Sequence, residues 1–228
     1  MIRLGTAAFL LAGAGMLHAP AALAQSADPP KARFEVGIGS LWIGAQPLGT
    51  KTATETTGAG STLSLFNSSS ELAGAAGVAG RIGVRVTRSF VAEVEASYLT
   101  PQLRIAISGD VEGAAAVTAT ETIQQVTVGG GVLWYLPNRG WAKRFAPFAM
   151  AGGGYLQQLH DPATLVETGH YYQFGGGATY VLVASPHLHT KGIGARVDVR
   201  ALIRSKGVAF DDGGHTSPAF GVSAFVRF

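Results

Sequence analysis

Eleven ionisable side chains stand where an extended chain would turn them to a single face: Arg33, Glu35, Arg81, Arg85, Glu93, Glu95, Arg196, Asp198, Arg200, Arg204 and Arg227. Within each group they are spaced by two or four residues, the period of a strand. Seven are basic and four acidic. If the face they share is enclosed, they must pair, because an isolated buried charge is costly. Arg81 and Arg85 would meet Glu93 and Glu95 across a hairpin centred near Arg88. Two chemistries stay open for such a set. One is a ladder of ion pairs that plugs and stiffens a lumen, and the other is a narrow anion-favouring path lined by the surplus arginine.

Other constellations carry less. His215-Thr-Ser217 with Asp211 or Asp212 holds the residue types of acyl transfer, and its His and Ser share a strand face, but Pro218 follows at once and a polar loop entering a strand has the same composition. His187 and His189 make two metal donors with no third close by, so no metal is expected. There is no Cys, which removes disulfides, thiolate metal sites and cysteine nucleophiles. No glycine motif leads a strand into a helix, so no phosphate cradle is expected, and the sequence calls for no cofactor.

The elements that position these residues follow from the rest of the chain. Arg3, the apolar run Leu4 to Leu17 and the small residues to Ala24 have the layout of a secretory signal peptide. The expected organisation is a signal peptide over 1–24, a short leader over 25–31 and a barrel over 32–228. Loss of Arg3 leaves sixteen basic against fourteen acidic side chains, no footprint for nucleic acid. Beyond residue 24 no apolar run approaches the ~20 residues of a membrane helix, although 47% of the chain is hydrophobic and 14% charged. An exported, apolar chain of this kind meets lipid as a barrel.

Eight strands are predicted: about 33–46, 72–87, 90–100, 118–136, 145–160, 169–184, 192–205 and 217–228. The connections alternate long and short, with both ends of the barrel on the short-turn side. The long ones, 47–70, 101–117, 161–168 and 206–216, read as external loops able to carry a surface ligand, with Leu103 to Ser108 open to the alternative of prolonging the third strand beyond the membrane. In the seventh strand Ile193, Ala195, Val197, Val199, Ala201 and Ile203 alternate with Arg196, Asp198, Arg200 and Arg204. Period alone fits a soluble barrel or its inside-out membrane counterpart. Aromatic residues near strand ends break the tie, with Phe34, Phe90, Trp134, Tyr180 and Phe228 at one level and Trp42, Tyr98, Tyr172 and Phe220 at the other. The apolar face is also lean, rich in Ala, Val and Gly, where a soluble core would be filled by larger side chains. Three glycine triplets, centred on Gly130, Gly153 and Gly176, would lie side by side on strands four to six if both hairpins were symmetrical. Such a glycine stripe would curve the wall or open a lateral groove for a lipid or small apolar ligand.

Strand number, loop alternation, the stretch Ser89-Phe-Val-Ala-Glu-Val-Glu-Ala-Ser-Tyr98 and the final Phe228 resemble the small eight-stranded outer-membrane barrels of the outer membrane protein A transmembrane-domain type. The resemblance implies an antiparallel up-and-down barrel in the bacterial outer membrane. It also implies outer-membrane lipid as surroundings and Phe228 as a signal to the barrel-assembly machinery. It leaves no residues for the cell-wall-binding domain of larger relatives. A non-enzymatic envelope protein with a closed lumen and interacting loops is the first expectation; a narrow gated channel or a small apolar-solute-binding transport barrel is the second.

Overall fold

Alternation of apolar and polar residues produces eleven strands in the computed structural model, which describes residues 33–136, 144–160, 166–184, 191–206 and 214–228. They are β1 (Phe34–Ile43), β2 (Gln46–Thr56), β3 (Thr62–Leu72), β4 (Ala75–Arg85), β5 (Phe90–Leu99) and β6 (Gln102–Ser108). After these come β7 (Val117–Tyr135), β8 (Phe145–His160), β9 (Val166–Ala184), β10 (Gly192–Lys206) and β11 (His215–Arg227). Eight of them close a ring, in the order β7-β5-β4-β1-β11-β10-β9-β8 and back to β7. Every pairing is antiparallel. Closure is made by β1 against β11, from Glu35↔Arg227 to Ile43↔Ala219. It gives each strand of the ring two neighbours, so the backbone donors and acceptors that lipid could not satisfy are paired within the wall.

The polarity of the ring is inverted relative to a soluble protein. Ile38 is 71% exposed and Val94, Val128 and Val199 project outward, whereas Arg196 is 0% exposed and Asp198, Arg200, Glu93 and Glu95 are buried inside. Both predicted aromatic levels face outward, one at Phe34, Phe90, Trp134, Tyr180 and Phe228, the other at Trp42, Tyr98, Tyr172 and Phe220. Phe34 to Trp42 and Phe90 to Tyr98 each span nine residues, close to the ~9–11 that a tilted strand needs to cross the hydrocarbon.

The remaining three strands overturn part of the loop expectation. Residues 47–70 are a hairpin, β2 paired with β3 from Gln46↔Leu72 to Thr56↔Thr62, and within 101–117 β6 pairs with β3 and with the first residues of β7. Together β2, β3, β6 and Val117–Thr122 form a second tier continuous with the barrel wall, anchored by Leu48, Leu72, Leu103 and Ile123. Its Thr and Ser content favours extended backbone as much as loop when both faces are wet. β9 also begins at Val166 and β11 at His215, inside stretches expected to be loop.

The signal-peptide and leader expectations lie outside the described residues. So do the turn Pro137 to Gly140, residues 161–165, the His187/His189 segment, and residues 207–213 with Asp211 and Asp212.

Candidate functional site

Inward-facing residues of the ring stack into layers along the bore. On the short-turn side Arg227 Nε donates to Glu35 Oε2 at 2.7 Å, and its guanidinium lies 4.5 Å from the centre of the Phe225 ring. Above this is an apolar layer of Val91, Leu133, Tyr135, Phe148 and Met150. The main charge layer follows. Arg196 Nη1 donates to Glu93 Oε2 at 2.7 Å, its Nε donates to Asp198 Oδ1 at 3.1 Å, and its guanidinium stacks 4.6 Å from the Phe148 ring. Arg81 Nε approaches the same Glu93 carboxylate at 3.7 Å from the neighbouring strand β4. Arg200 donates to Asp198 Oδ2 at 2.9 Å, to Glu95 Oε1 at 2.7 Å and to Gln173 Oε1 at 2.8 Å.

Three arginines (81, 196, 200) and three carboxylates (93, 95, 198) thus form one buried, formally neutral network linking β4, β5 and β10. Neutrality matters here. Each ion loses its water, and only reciprocal, hydrogen-bonded partners offset that desolvation.

The register explains which pairs form. Arg81 lies opposite Glu95 and Arg85 opposite Val91 across β4–β5, as the hairpin centre near Arg88 requires. Yet the ion pair of Arg81 is with Glu93, one inward position along, because Glu95 is taken by Arg200 from β10. Arg85 does not join Glu93 or Glu95. Its guanidinium sits 5.4 Å from the Tyr135 ring and donates to the Arg88 carbonyl at 3.2 Å. Arg33 precedes β1, is exposed, and stands apart from the lumen set, while its backbone N–H bonds the Phe228 carbonyl at 2.8 Å. Arg204 is buried in the bore above the network, with Gln125 Oε1 3.5 Å from its Nη1.

The glycine stripe is the clearest correction. Gly130 does face Gly153, so the first two triplets are in register. Gly153, however, pairs with Tyr172, and Gly176 pairs with Ala149 and Val199, four residues from the expected alignment. The β8–β9 connection is shorter than assumed because β9 starts at Val166, which moves its centre toward Pro162. No three-strand glycine groove results. The third triplet serves the charge layer instead: a Cβ on Gly175 would lie 2.8 Å from Arg200 Cβ, and one on Gly177 2.8 Å from Asp198 Cβ. Gly129 similarly leaves the space taken by the Tyr171 hydroxyl.

Sequence reasoning missed the neutral members of the bore, Gln125, Gln158 and Gln173, all buried. Their parity on β7, β8 and β9 was available as a signal. His215 and Ser217 do share the inner face of β11, while the acids expected beside them fall outside the described residues.

A closed ring of eight antiparallel strands, apolar outside and charged inside, defines a transmembrane β-barrel of the outer-membrane type. No protein-family model matches the chain, and no curated protein matches it. Solved structures similar to the chain include three small outer-membrane barrels. Against the outer membrane protein AlkL in lipid bilayers it has 13% identity and a TM-score of 0.47, over 90% of this chain and 94% of that one. With Ail, the attachment invasion locus protein of Yersinia pestis, identity is 11% and the TM-score 0.38, over 87% and 100%. For the N-terminal barrel domain of Pseudomonas aeruginosa OprF the values are 12% and 0.37, over 86% and 99%.

Proposed function

We propose that the protein is a non-enzymatic outer-membrane barrel with a plugged lumen, serving envelope structure and surface interaction through its second tier. One observation carries this reading: the neutral network of Arg81, Arg196, Arg200, Glu93, Glu95 and Asp198 spans the bore with Arg196 wholly buried. Eight strands leave an interior only wide enough for side chains, and here apolar residues pack below the charges as well. The proposed outward partner of the barrel is lipid, and Phe228 is proposed as the residue read by the barrel-assembly machinery. The surface available to a partner is the exposed Ser/Thr face of β2 and β3, where Thr52 Oγ1 and Asn67 Oδ1 are hydrogen-bonded at 2.7 Å.

Conductance of the refolded protein in planar bilayers tests the plug. Wild-type protein is expected to be silent, and Arg200→Ala, which takes the ion-pair partner from Glu95 and one of two from Asp198, is expected to give irregular openings. Steady single-channel steps from the wild type, abolished by Arg200→Ala, would replace this reading with the anion-path alternative.

A further inference from the structure

The two ends of the barrel carry opposite charge. In the second tier the described residues include Glu55, Glu71, Asp110, Glu112 and Glu121 against Lys51 and Arg104. At the short-turn end they include Arg33, Arg85, Arg88, Arg144, Lys191 and Arg227 against Glu35 and the terminal carboxylate of Phe228, six cations to two anions. Between the ends the buried network is neutral. The chain as a whole is close to balance, with 17 basic and 14 acidic side chains, so the surplus at one end is a matter of placement.

Two of the six cations belong to the mouth of the bore. Arg227 is bonded to Glu35 at 2.7 Å, and the Arg85 guanidinium lies 5.4 Å from the Tyr135 ring. The other four stand on the rim, where Arg33, Arg88 and Arg144 are exposed and Lys191 is half-buried. Each is fixed beside the outward aromatic level of this end. Arg33 precedes Phe34, and its backbone N–H bonds the Phe228 carbonyl at 2.8 Å. Arg88 lies two residues before Phe90, which pairs with Trp134. Arg144 precedes Phe145, the partner of Tyr180, and its Nη1 donates to the Leu182 carbonyl at 3.5 Å. Lys191 N–H bonds the carbonyl of Arg227, the neighbour of Phe228, at 2.7 Å. In the ring order these four fall at β4–β5, β1, β10 and β8, about two strands apart each time, or roughly 12 Å along the rim for tilted strands.

An aromatic level of this kind marks the membrane–water interface, so the cations just beyond it stand at the depth of the headgroup phosphates. A Lys or Arg near an anionic surface is drawn to it by about fivefold in affinity. We propose that the four rim cations form a collar that gathers phospholipid of net negative headgroup in the periplasmic leaflet around the short-turn end. Their spread around the whole circumference at one level fits a shell of headgroups, whereas a soluble acidic partner would need them gathered on one side. The inference rests on the lipid surroundings of the barrel and is independent of whether the bore is plugged.

The tryptophans, Trp42, Trp134 and Trp141, allow each end to be read alone. Trp134 belongs to the short-turn aromatic level and Trp42 to the opposite one, and both face outward. Barrels carrying Trp42→Phe with Trp141→Phe, or Trp134→Phe with Trp141→Phe, are refolded into vesicles of phosphatidylcholine and phosphatidylglycerol. One lipid at a time is brominated on its acyl chains to quench fluorescence. At Trp134 phosphatidylglycerol is expected to be favoured by about threefold or more, a preference lost in about 0.5 M salt. At Trp42 the two lipids are expected to quench alike. Arg88→Gln, in the turn beside Phe90 and Trp134, is expected to halve the preference at least, and the combination of Arg33→Gln, Arg88→Gln and Arg144→Gln to abolish it. Arg104→Gln, in the second tier, is expected to leave it unchanged. No preference at Trp134, an equal preference at Trp42, or a preference that survives both Arg88→Gln and the triple change would overturn the collar. Failure of every brominated lipid to quench either tryptophan would instead overturn the lipid-facing barrel on which the collar rests.

Discussion

Strand β7 passes through both tiers, and its outward face changes character partway along. In the second tier that face carries Thr118, Thr120 and Thr122; in the barrel, past Gln124, it carries Val126, Val128, Val132 and Trp134. β9 makes the same change between His170 and Tyr172, followed by Phe174. The backbone does not change, so the difference records the solvent on the far side of the wall. Inside, the contrast is reversed. The barrel surrounds charge layered on the apolar cluster of Val91, Leu133, Tyr135, Phe148 and Met150, whereas the second tier, among the described residues, encloses no such ion-pair network and anchors itself with the small apolar cluster of Leu48, Leu72, Leu103 and Ile123. One tier is folded by lipid outside it and ion pairs within it, the other by ordinary hydrophobic burial in water.

Substitutions that exchange the two environments should separate them. The largest effect is expected from Arg196→Met, which takes from Glu93 and Asp198 one of the two arginines each of them faces, leaves the buried network with a net negative charge and should cost about 3–5 kcal/mol in urea unfolding from lipid vesicles. Next comes a pair on one face of one strand. Val128→Arg places a cation in hydrocarbon and should cost about 2–4 kcal/mol, while Thr120→Arg, eight residues earlier, should stay within about 0.5 kcal/mol. Equal costs would mean that the boundary is not where the Thr-to-Val change puts it. Among the ion-pair losses the smallest effect is expected from Arg104→Gln. Its 3.9 Å contact with Glu71 is half exposed on both sides, and losing it should cost no more than about 1 kcal/mol in the same assay.

The barrel was largely legible in the sequence because its two faces differ. Ile193 to Ile203 against Arg196 to Arg204 fixed the parity of β10, and the near-symmetric hairpin at Arg88 fixed Arg81 opposite Glu95. The second tier was hidden for the converse reason: Thr50 to Ser70 is wet on most of both faces, so no hydrophobic period marks it, and its Ser, Thr and Gly content resembles loop. The alignment of Gly176 failed because it depended on where a connection turns, which residue types around Asp161 do not specify to within two positions. Partner choice within the bore was also beyond parity. That Arg81 settles on Glu93 depends on Arg200 reaching across from a strand more than a hundred residues away.

The continuity of β7 has a mechanical meaning. A load applied to the exposed hairpin of β2 and β3 passes through β6 into Val117–Thr122, and from there along the same backbone into the ladder that β7 makes with β8. Such a pull is borne in shear by many hydrogen bonds at once rather than peeled one bond at a time. The surface hairpin is therefore a rigid bracket welded to its mounting.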